Sequence, residues 1–470
     1  MEPADATRKT ARPRRRRPDR LSALPDCLLH VIMSSLKARQ VVQTCVLSRR
    51  WRNLWRTVPC LDVDIDEFRA NRRAPGSGGD GIPKYSNHGS SSDNSSSSSE
   101  SDGSSVYDLG FDSSSDDDDD SNDKGYERFE DFTANLMSRC NIAQLDSFRL
   151  QIGSHRAPAP QFYHIQAGGW LRRAMKYCSP DPSSPRKGLS PSPWLLKRLH
   201  LCHVLLEDRF MKHVSSVCRN LEDLELHDCN CHIRSVTSDS LKTLVLKNCI
   251  WRKLSDIALP TLKTLVIDGG QNISDVVLVI LTPALASLHL DVSVDHFSVD
   301  ISTNQMPSLV KASIHLQSHT YSAPESSKLD GDQFKLLCGI SNVTSLELSG
   351  VSETVRGEKP TFQEFMNLRN LLLDECDLRN DFRTLGFFLQ SSPNLEKLTL
   401  RNCKFPTYPK KKKGEPNETS SSEFRGLDFM CANLKVEIIC SHGDARKLVN
   451  VLLHASGNLS EKNIKFTKVN

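Results

Sequence analysis

No stretch of this sequence is apolar for long enough to cross a bilayer. Its most apolar run, "VVLVIL" at Val276–Leu281, is six residues where about 20 are needed. No apolar segment follows the opening Met, so neither a secretory leader nor a membrane anchor is expected, and the chain reads as soluble, in the cytoplasm, the nucleus or both. Signatures of catalysis are missing as well. There is no P-loop, no H-E-x-x-H, no G-x-S-x-G and no carboxylate pair on a defined turn, so the chain is read as a non-enzyme that needs no cofactor. One G-x-G-x-x-G match, "GSGGDG" at Gly76–Gly81, lacks the strand before it and the helix after it that a phosphate cradle requires. Net charge is small too, at +4, but it averages a basic opening, "RPRRRRPDR", against an acidic "SSSDDDDDS".

What the chain does have is length and apolar content: 470 residues and 38% hydrophobic side chains, enough for two or three domains. Its 15 cysteines, in a chain read as intracellular, are expected to be reduced thiols and not a disulfide framework. Residues 1–18 read as a basic disordered terminus, and residues 72–124 as a disordered Ser/Asp-rich insert. The serines beside Asp116–Asp120 are equally readable as acidic-directed phosphorylation sites or as an unmodified spacer.

Between these, "DRLSALPDCLLHVIMSSL" places Leu24, Leu28, Leu29, Ile32 and Leu36 at helical spacing, with Pro25 and Asp26 where a helix begins. "VVQTCVLSRRWRNLW" continues with Val42, Val46, Trp51, Leu54 and Trp55 at mostly helical spacing. So much apolar surface cannot be buried within about 40 residues, and the surplus implies a partner. These motifs resemble the F-box, in particular the plant type that opens Asp-Arg-Leu-Ser-x-Leu-Pro-Asp; the unit is assigned to residues 19–60. The resemblance implies a three-helix module that docks on a Skp1-like adaptor and, through it, on cullin and RING subunits. It assigns Leu24, Pro25, Leu28, Leu29, Ile32, Val46 and Trp51 to the adaptor contact and the small core behind it. Trp51 and Trp55 favour a protein interface over nucleic acid, since no helix-turn-helix or zinc-finger pattern accompanies Arg49, Arg50 and Arg52.

From residue 125 to 433 the dominant signal is a repeat. "LKRLHLCHV" at Leu196, "LEDLELHDC" at Leu221, "LKTLVLKNC" at Leu241, "LKTLVIDGG" at Leu262 and "LASLHLDVS" at Leu285 share one L-x-x-L-x-L frame. It recurs, degenerate at Leu309, then at Val343, Leu368, Leu395 and loosely at Leu434, with a mean step of about 26 residues, inside the range of leucine-rich repeats. The expected fold class is therefore α/β: a small helical F-box followed by a leucine-rich-repeat solenoid, with parallel strands on the concave face and helices and loops on the convex face. "YERFEDFTANLMSRC" and "GWLRRAMKYC" read as helices and "LDSFRLQI" as a strand leading into it. The end, residues 434–470, looks like the FBD-type segment of many plant F-box proteins and is read as a cap.

Alternation within each frame assigns sides. Leucines point into the stack, whereas Asp223, Glu225, Lys247, Glu347, Asp374, Lys397 and Arg401 point to the concave face and are the candidate substrate contacts. His200, His227 and His289 share that face and are read as contact positions in preference to catalytic groups. Cys229, Cys249, Cys376 and Cys403 occupy the small buried position that follows each strand. With Cys229 so placed, Cys231 and His232 make an incomplete zinc set, and no metal is expected. The mixed signs on the concave face name neither a nucleic acid nor a polybasic tail. What the resemblance implies is the substrate-recognition subunit of an SCF-type ubiquitin ligase with an unknown protein target; the alternative is a non-degradative repeat scaffold that still binds the adaptor. A small-molecule-gated receptor is disfavoured, since F-box repeat proteins of that design carry longer arrays and a basic polyphosphate-binding cluster.

Overall fold

The computed structural model describes residues 21, 23–69, 116–154, 161–175, 196–274, 276–293, 299–300, 306–317, 337, 339–350, 364–376, 378, 383–405, 434–440, 448–449, 452–453 and 459–468. Most of the Ser/Asp insert, "GSGGDG", the proline-rich loop near residue 185 and the basic "YPKKKK" loop lie outside them.

The chain opens with two short helices. In α1 (Asp26–Met33) Pro25 precedes the first turn and Asp26 lies within it, where its negative charge complements the helix N-terminus. Helix α2 (Ala38–Gln43) is only six residues long, and the mostly helical spacing from Val42 to Trp55 does not continue as α-helix. Instead the chain makes 3₁₀ turns at Thr44–Val46 and Leu54–Thr57. The Thr44 hydroxyl donates to the Val41 carbonyl at 2.7 Å, the kind of local bond by which such residues compete with helix. The break lets Trp51, Leu54 and Trp55 turn inward while Val46 and Leu47 stay outside.

Helix α3 (Asp116–Arg139) starts before residue 124, inside the segment expected to be disordered. Its buried face, Tyr126, Phe129, Thr133, Leu136 and Met137, meets Phe68 and helix α4 (Gln161–Ala174), with the Phe129 and Trp170 rings edge to face at 5.7 Å.

The dominant element is a sheet of thirteen parallel strands. In order these are β1 (Cys60–Asp64), β2 (Ser147–Gln151), β3 (Arg198–Cys202), β5 (Asp223–His227), β8 (Thr243–Lys247), β11 (Thr264–Asp268), β14 (Ser287–Ser293), β16 (Lys311–Gln317), β17 (Ser345–Ser349), β18 (Asn370–Asp374), β19 (Lys397–Arg401), β20 (Lys435–Cys440) and β21 (Ile464–Lys468). Spatial order equals chain order, so each of these strands pairs with the next of them along the chain. The frame leucines fall in one register: Leu199, Leu224, Leu244, Leu265 and Leu288 form a row that continues through Ala312, Leu346, Leu371, Leu398 and Val436. None of the ten is more than 1% exposed.

Behind the sheet, helices and loops are expected. They are present as α5 (Asp208–Val217) and α6 (Arg383–Ser391). From Leu205 to Asp300 the structure also carries short strands there: β4 (Leu205–Glu207), β6 (Asn230–His232), β9 (Ile250–Trp251) and β12 (Gln271–Asn272) form one ladder, and β7 (Ser235–Thr237), β10 (Asp256–Ala258), β13 (Leu278–Leu281) and β15 (Val299–Asp300) a second. The cause is length. Steps of 20, 21 and 23 residues separate Leu221, Leu241, Leu262 and Leu285, too few to return by a helix, whereas the helix-bearing steps from Leu196 and Leu368 are 25 and 27.

Strands β3, β5, β8, β18 and β19 leave the sheet by one recurring turn. His203, Asp228, Asn248, Glu375 and Asn402 have φ between 50° and 58°, a left-handed conformation that Asn, Asp and His adopt more readily than most residues. Their amides extend the ladder: Asp228 N–H donates to Lys247 O at 2.8 Å and Asn402 N–H to Ile439 O at 2.8 Å. After His203 comes the buried Val204, and after the other four comes the cysteine expected to be buried. The thiols of Cys249 and Cys403 lie 3.3 and 3.4 Å from the Leu226 and Leu373 carbonyls of the preceding strand, so a small weak donor occupies the space inside each turn. At Gly270 even that side chain has no room: a Cβ would sit 2.3 Å from the Cys249 carbonyl oxygen, and φ is 84°.

The two helices at the N-terminus join this core directly. Lys37, which precedes α2, pairs with Asp62 at 3.1 Å and Asp64 at 2.9 Å, both on β1. Burial opposes its charge, but hydrogen bonds to Asp64 and Asp62 outweigh that and raise its pKa. Among the described residues no helix is long and apolar enough to cross a membrane.

Candidate functional site

Two surfaces carry the residues singled out in the sequence. The first is the outside of the N-terminal helices. Leu29 and Met33, four residues apart on α1, are fully buried, and they leave Leu28 48%, Val31 68% and Ile32 39% exposed. Val46 at 83% and Leu47 at 57% are bare on the 3₁₀ segment that follows α2. This is the surplus apolar surface anticipated from the sequence, now with an address. Of the seven residues assigned to the adaptor contact and its backing core, Pro25, Leu28, Ile32 and Val46 are exposed, Leu24 is half-buried, and Leu29 and Trp51 are interior.

The tryptophans therefore do a different job from the one expected. Trp51 is 2% and Trp55 7% exposed, packed into the chain's own core, and they offer no interface anchor in this conformation. Trp55 Nε1 donates to Arg52 O at 3.1 Å and its ring lies under the Arg56 guanidinium. Arg50 is tied to Asp26 through its Nε at 3.0 Å, while Arg49 and Arg52 are exposed. Val31 and Leu47 were not singled out in the sequence; the signal for Val31 was that "LLHVIM" is apolar on more than one helical face.

The second surface is the open face of the sheet, where the candidate substrate contacts do lie together on one side. Asp223, Glu225, Lys247, Glu347, Asp374, Lys397 and Arg401 each occupy the first, third or fifth strand position, between the buried leucines. They form separate groups and not one pocket. Arg401 pairs with Asp374 at 2.8 Å and Glu347 at 3.2 Å; Lys397 pairs with Glu437 at 3.2 Å; Lys247 pairs with Asp268 at 3.4 Å. From β5 to β19 is seven strand spacings, roughly 34 Å, a length suited to a macromolecule and not to a small ligand. Hydrogen bonding sets the protonation states. Asp374 and Glu347 hold the Arg401 guanidinium charged, and Lys465 and Lys397 pull the Glu437 carboxyl below its usual range.

At the β3 end of this face, His200 Nδ1 lies 2.7 Å from Glu225 Oε2, and that bond depresses the Glu225 pKa. The His200 and His227 rings meet edge to face at 4.2 Å between centroids. Cys202, also in register with His227, brings its Sγ within 4.8 Å of a nitrogen of each ring. This trio is visible in the sequence only when the two repeats are aligned. The cysteines discounted there as ligands are interior: Cys229 and Cys231 are 1% and 0% exposed.

A helical unit with a bare apolar patch is seated on the first strand of a parallel leucine-rich sheet, so the chain pairs two separate candidate binding surfaces. Residues 21–62 match the F-box domain model, so the chain carries an F-box there. Over most of its length it is similar to the MEIOTIC F-BOX protein MOF of Oryza sativa subsp. japonica: 29% identical over 460 residues, covering 91% of this chain and 81% of that protein. Shorter matches include F-box/LRR-repeat protein 13 of Arabidopsis thaliana, 55% identical over 51 residues, and an FBD-associated F-box protein of the same plant, 50% identical over 68 residues. These two cover 11% and 15% of their respective relatives.

Proposed function

We propose that this chain is the substrate-recognition subunit of an SCF-type ubiquitin ligase. In this reading the thirteen-stranded sheet is the concave wall of a leucine-rich-repeat solenoid, residues 434–470 close it, and its open face receives a target protein. The F-box docks a Skp1-like adaptor through Pro25, Leu28, Ile32 and Val46, with Leu24, Leu29 and Trp51 behind them, and the adaptor brings cullin and RING subunits. The proposed site of action is the cytoplasm, the nucleus or both. The observation that carries the reading is the match of residues 21–62 to the F-box, with Leu28, Ile32 and Val46 left bare on that unit.

Interfaces of this kind depend on a few apolar anchors, each worth about 2–4 kcal/mol or more. Purified full-length chain carrying Leu28→Asp and Val46→Asp together should lose adaptor binding by at least about 100-fold and keep its melting temperature. Adaptor capture by that variant at wild-type strength refutes the assignment. Captured partners whose lifetime is extended by proteasome inhibition support the degradative role; partners with an unchanged lifetime mark a scaffold.

A further inference from the structure

We propose that the open face of the sheet holds a zinc ion on His200, Cys202 and His227. The three donors come from two adjacent strands. His200 and Cys202 are two residues apart on β3 and so point the same way, and His227 on β5 is the register partner of Cys202. One nitrogen of each imidazole and the Cys202 sulfur already lie within 4.8 Å of one another. Tetrahedral zinc, with bonds of about 2.0–2.3 Å, sets its donors roughly 3.3–3.8 Å apart, so closure takes about 1 Å of side-chain movement on a rigid sheet.

The unpaired atoms point the same way. Nε2 of His200 and Nε2 of His227 are both buried and have no hydrogen-bond partner, the latter lying 3.8 Å from Glu225 Oε2, and a buried polar atom left in that state is costly unless something occupies it. The carboxylate of Glu225 can only accept, so His200 Nδ1, 2.7 Å away, carries the proton and Nε2 presents a lone pair. A histidine held through its far nitrogen by a carboxylate is the usual second layer of a metal site. Two imidazoles and a thiolate suit zinc and exclude calcium or magnesium, which take oxygen. A second grouping shares the thiol, Cys202 with His203 and Asp228, but those two sit in the left-handed turns 3.8 Å from each other. With three protein ligands the fourth coordination position is left for water or for a side chain offered by whatever lies on the open face.

The test uses the purified full-length chain, equilibrated with zinc and dialysed against metal-free buffer. One zinc per chain by mass spectrometry, and a thiolate-to-cobalt charge-transfer band when Co²⁺ replaces it, are expected. Cys202→Ser and His227→Asn should each abolish the band and the bound zinc. His289→Gln, on the same face, and Cys27→Ser, at an exposed thiol, should keep both. Zinc should raise the melting temperature of the wild type but not of Cys202→Ser, whose metal-free melt should match that of the metal-free wild type. Zinc content well below one per chain overturns the site. So does metal that survives Cys202→Ser, or a cobalt band lost in Cys27→Ser instead. The site does not depend on the ligase reading, because none of these measurements involves the adaptor.

Discussion

Arg401 on β19 reaches across β18 to Glu347 on β17, two strands away, at 3.2 Å, with Asp374 of the intervening strand bound on the way at 2.8 Å. Three residues that the sequence offers as independent contacts are thus one ion-paired group, with two carboxylates sharing a single guanidinium. A target that uses these charges has to replace a pairing already made. Changing the sign of Arg401 does more than alter recognition, because it gathers a third carboxylate beside two others.

Arg401→Leu should cost about 0.5–1 kcal/mol, the ordinary worth of partly exposed ion pairs, and Arg401→Glu distinctly more. The gap between the two variants should narrow in high salt, since the added repulsion is screened. Denaturant melts at two salt concentrations decide this; equal stability of the two variants in low salt would show that the cluster does not bind Arg401.

Trp51 and Val46 separate interior from patch. Trp51→Ala should cost roughly 3–5 kcal/mol and release adaptor only through unfolding of the helical unit. Val46→Asp should leave the melt unchanged and weaken adaptor binding in the folded chain. Calorimetry with adaptor titration reads both, and a stable Trp51→Ala that fails to bind would return the tryptophan to the interface.

Lys37→Met tests the joint between the F-box and the sheet. It removes the partner of Asp64, which is only 8% exposed, and should cost about 1–3 kcal/mol, as loss of a hydrogen bond to a charged group does. Hydrogen exchange should quicken in α2 and β1 before it does in β8 or β11.

His213 on α5 gives a pH dependence with a definite sign. Burial lowers its pKa, and its Nε2 is buried without a partner, so the folded state favours the neutral ring. The unfolded chain therefore binds the proton first. This contribution is complete above the ordinary histidine value of about 6.5 and disappears as pH falls through the depressed folded value. His213→Gln should flatten the loss of melting temperature between about pH 6.5 and 5; a slope identical to wild type assigns the acid lability to other groups.

Much of this was legible in advance because the frame leucines have one repeated environment. Every L-x-x-L-x-L frame from Leu196 to Leu434 became a strand in register, and the cysteines after those strands became interior. Strands β1 and β2 were readable as "CLDVD" and "SFRLQ", but without the leading leucine nothing announced that they extend the same sheet. On the back of the sheet the segments of helical period at Asp208–Val217 and Arg383–Ser391 are helices, whereas the short strands of the shorter steps carry no periodic signal of their own. The tryptophans were misread because a large aromatic is equally at home in a core and in an interface, and only the break after Gln43 decides between them. The His200, Cys202 and His227 trio was hidden by a separation of 25 residues that vanishes only when repeats are laid side by side.

The F-box match ends at residue 62, inside β1, and β1 is the first rung of the sheet. The handle by which a ligase would grip the molecule and the wall that would hold a target are therefore built into one beam, with no hinge between them among the described residues. Each further strand lies about 4.8 Å farther from the handle. In the proposed ligase reading, the place along the sheet where a target settles would work as a ruler: the rung it occupied would set how far its lysines stood from the transferring end of the ligase, and two targets of similar affinity bound at β3 and at β19 would present different lysines for modification.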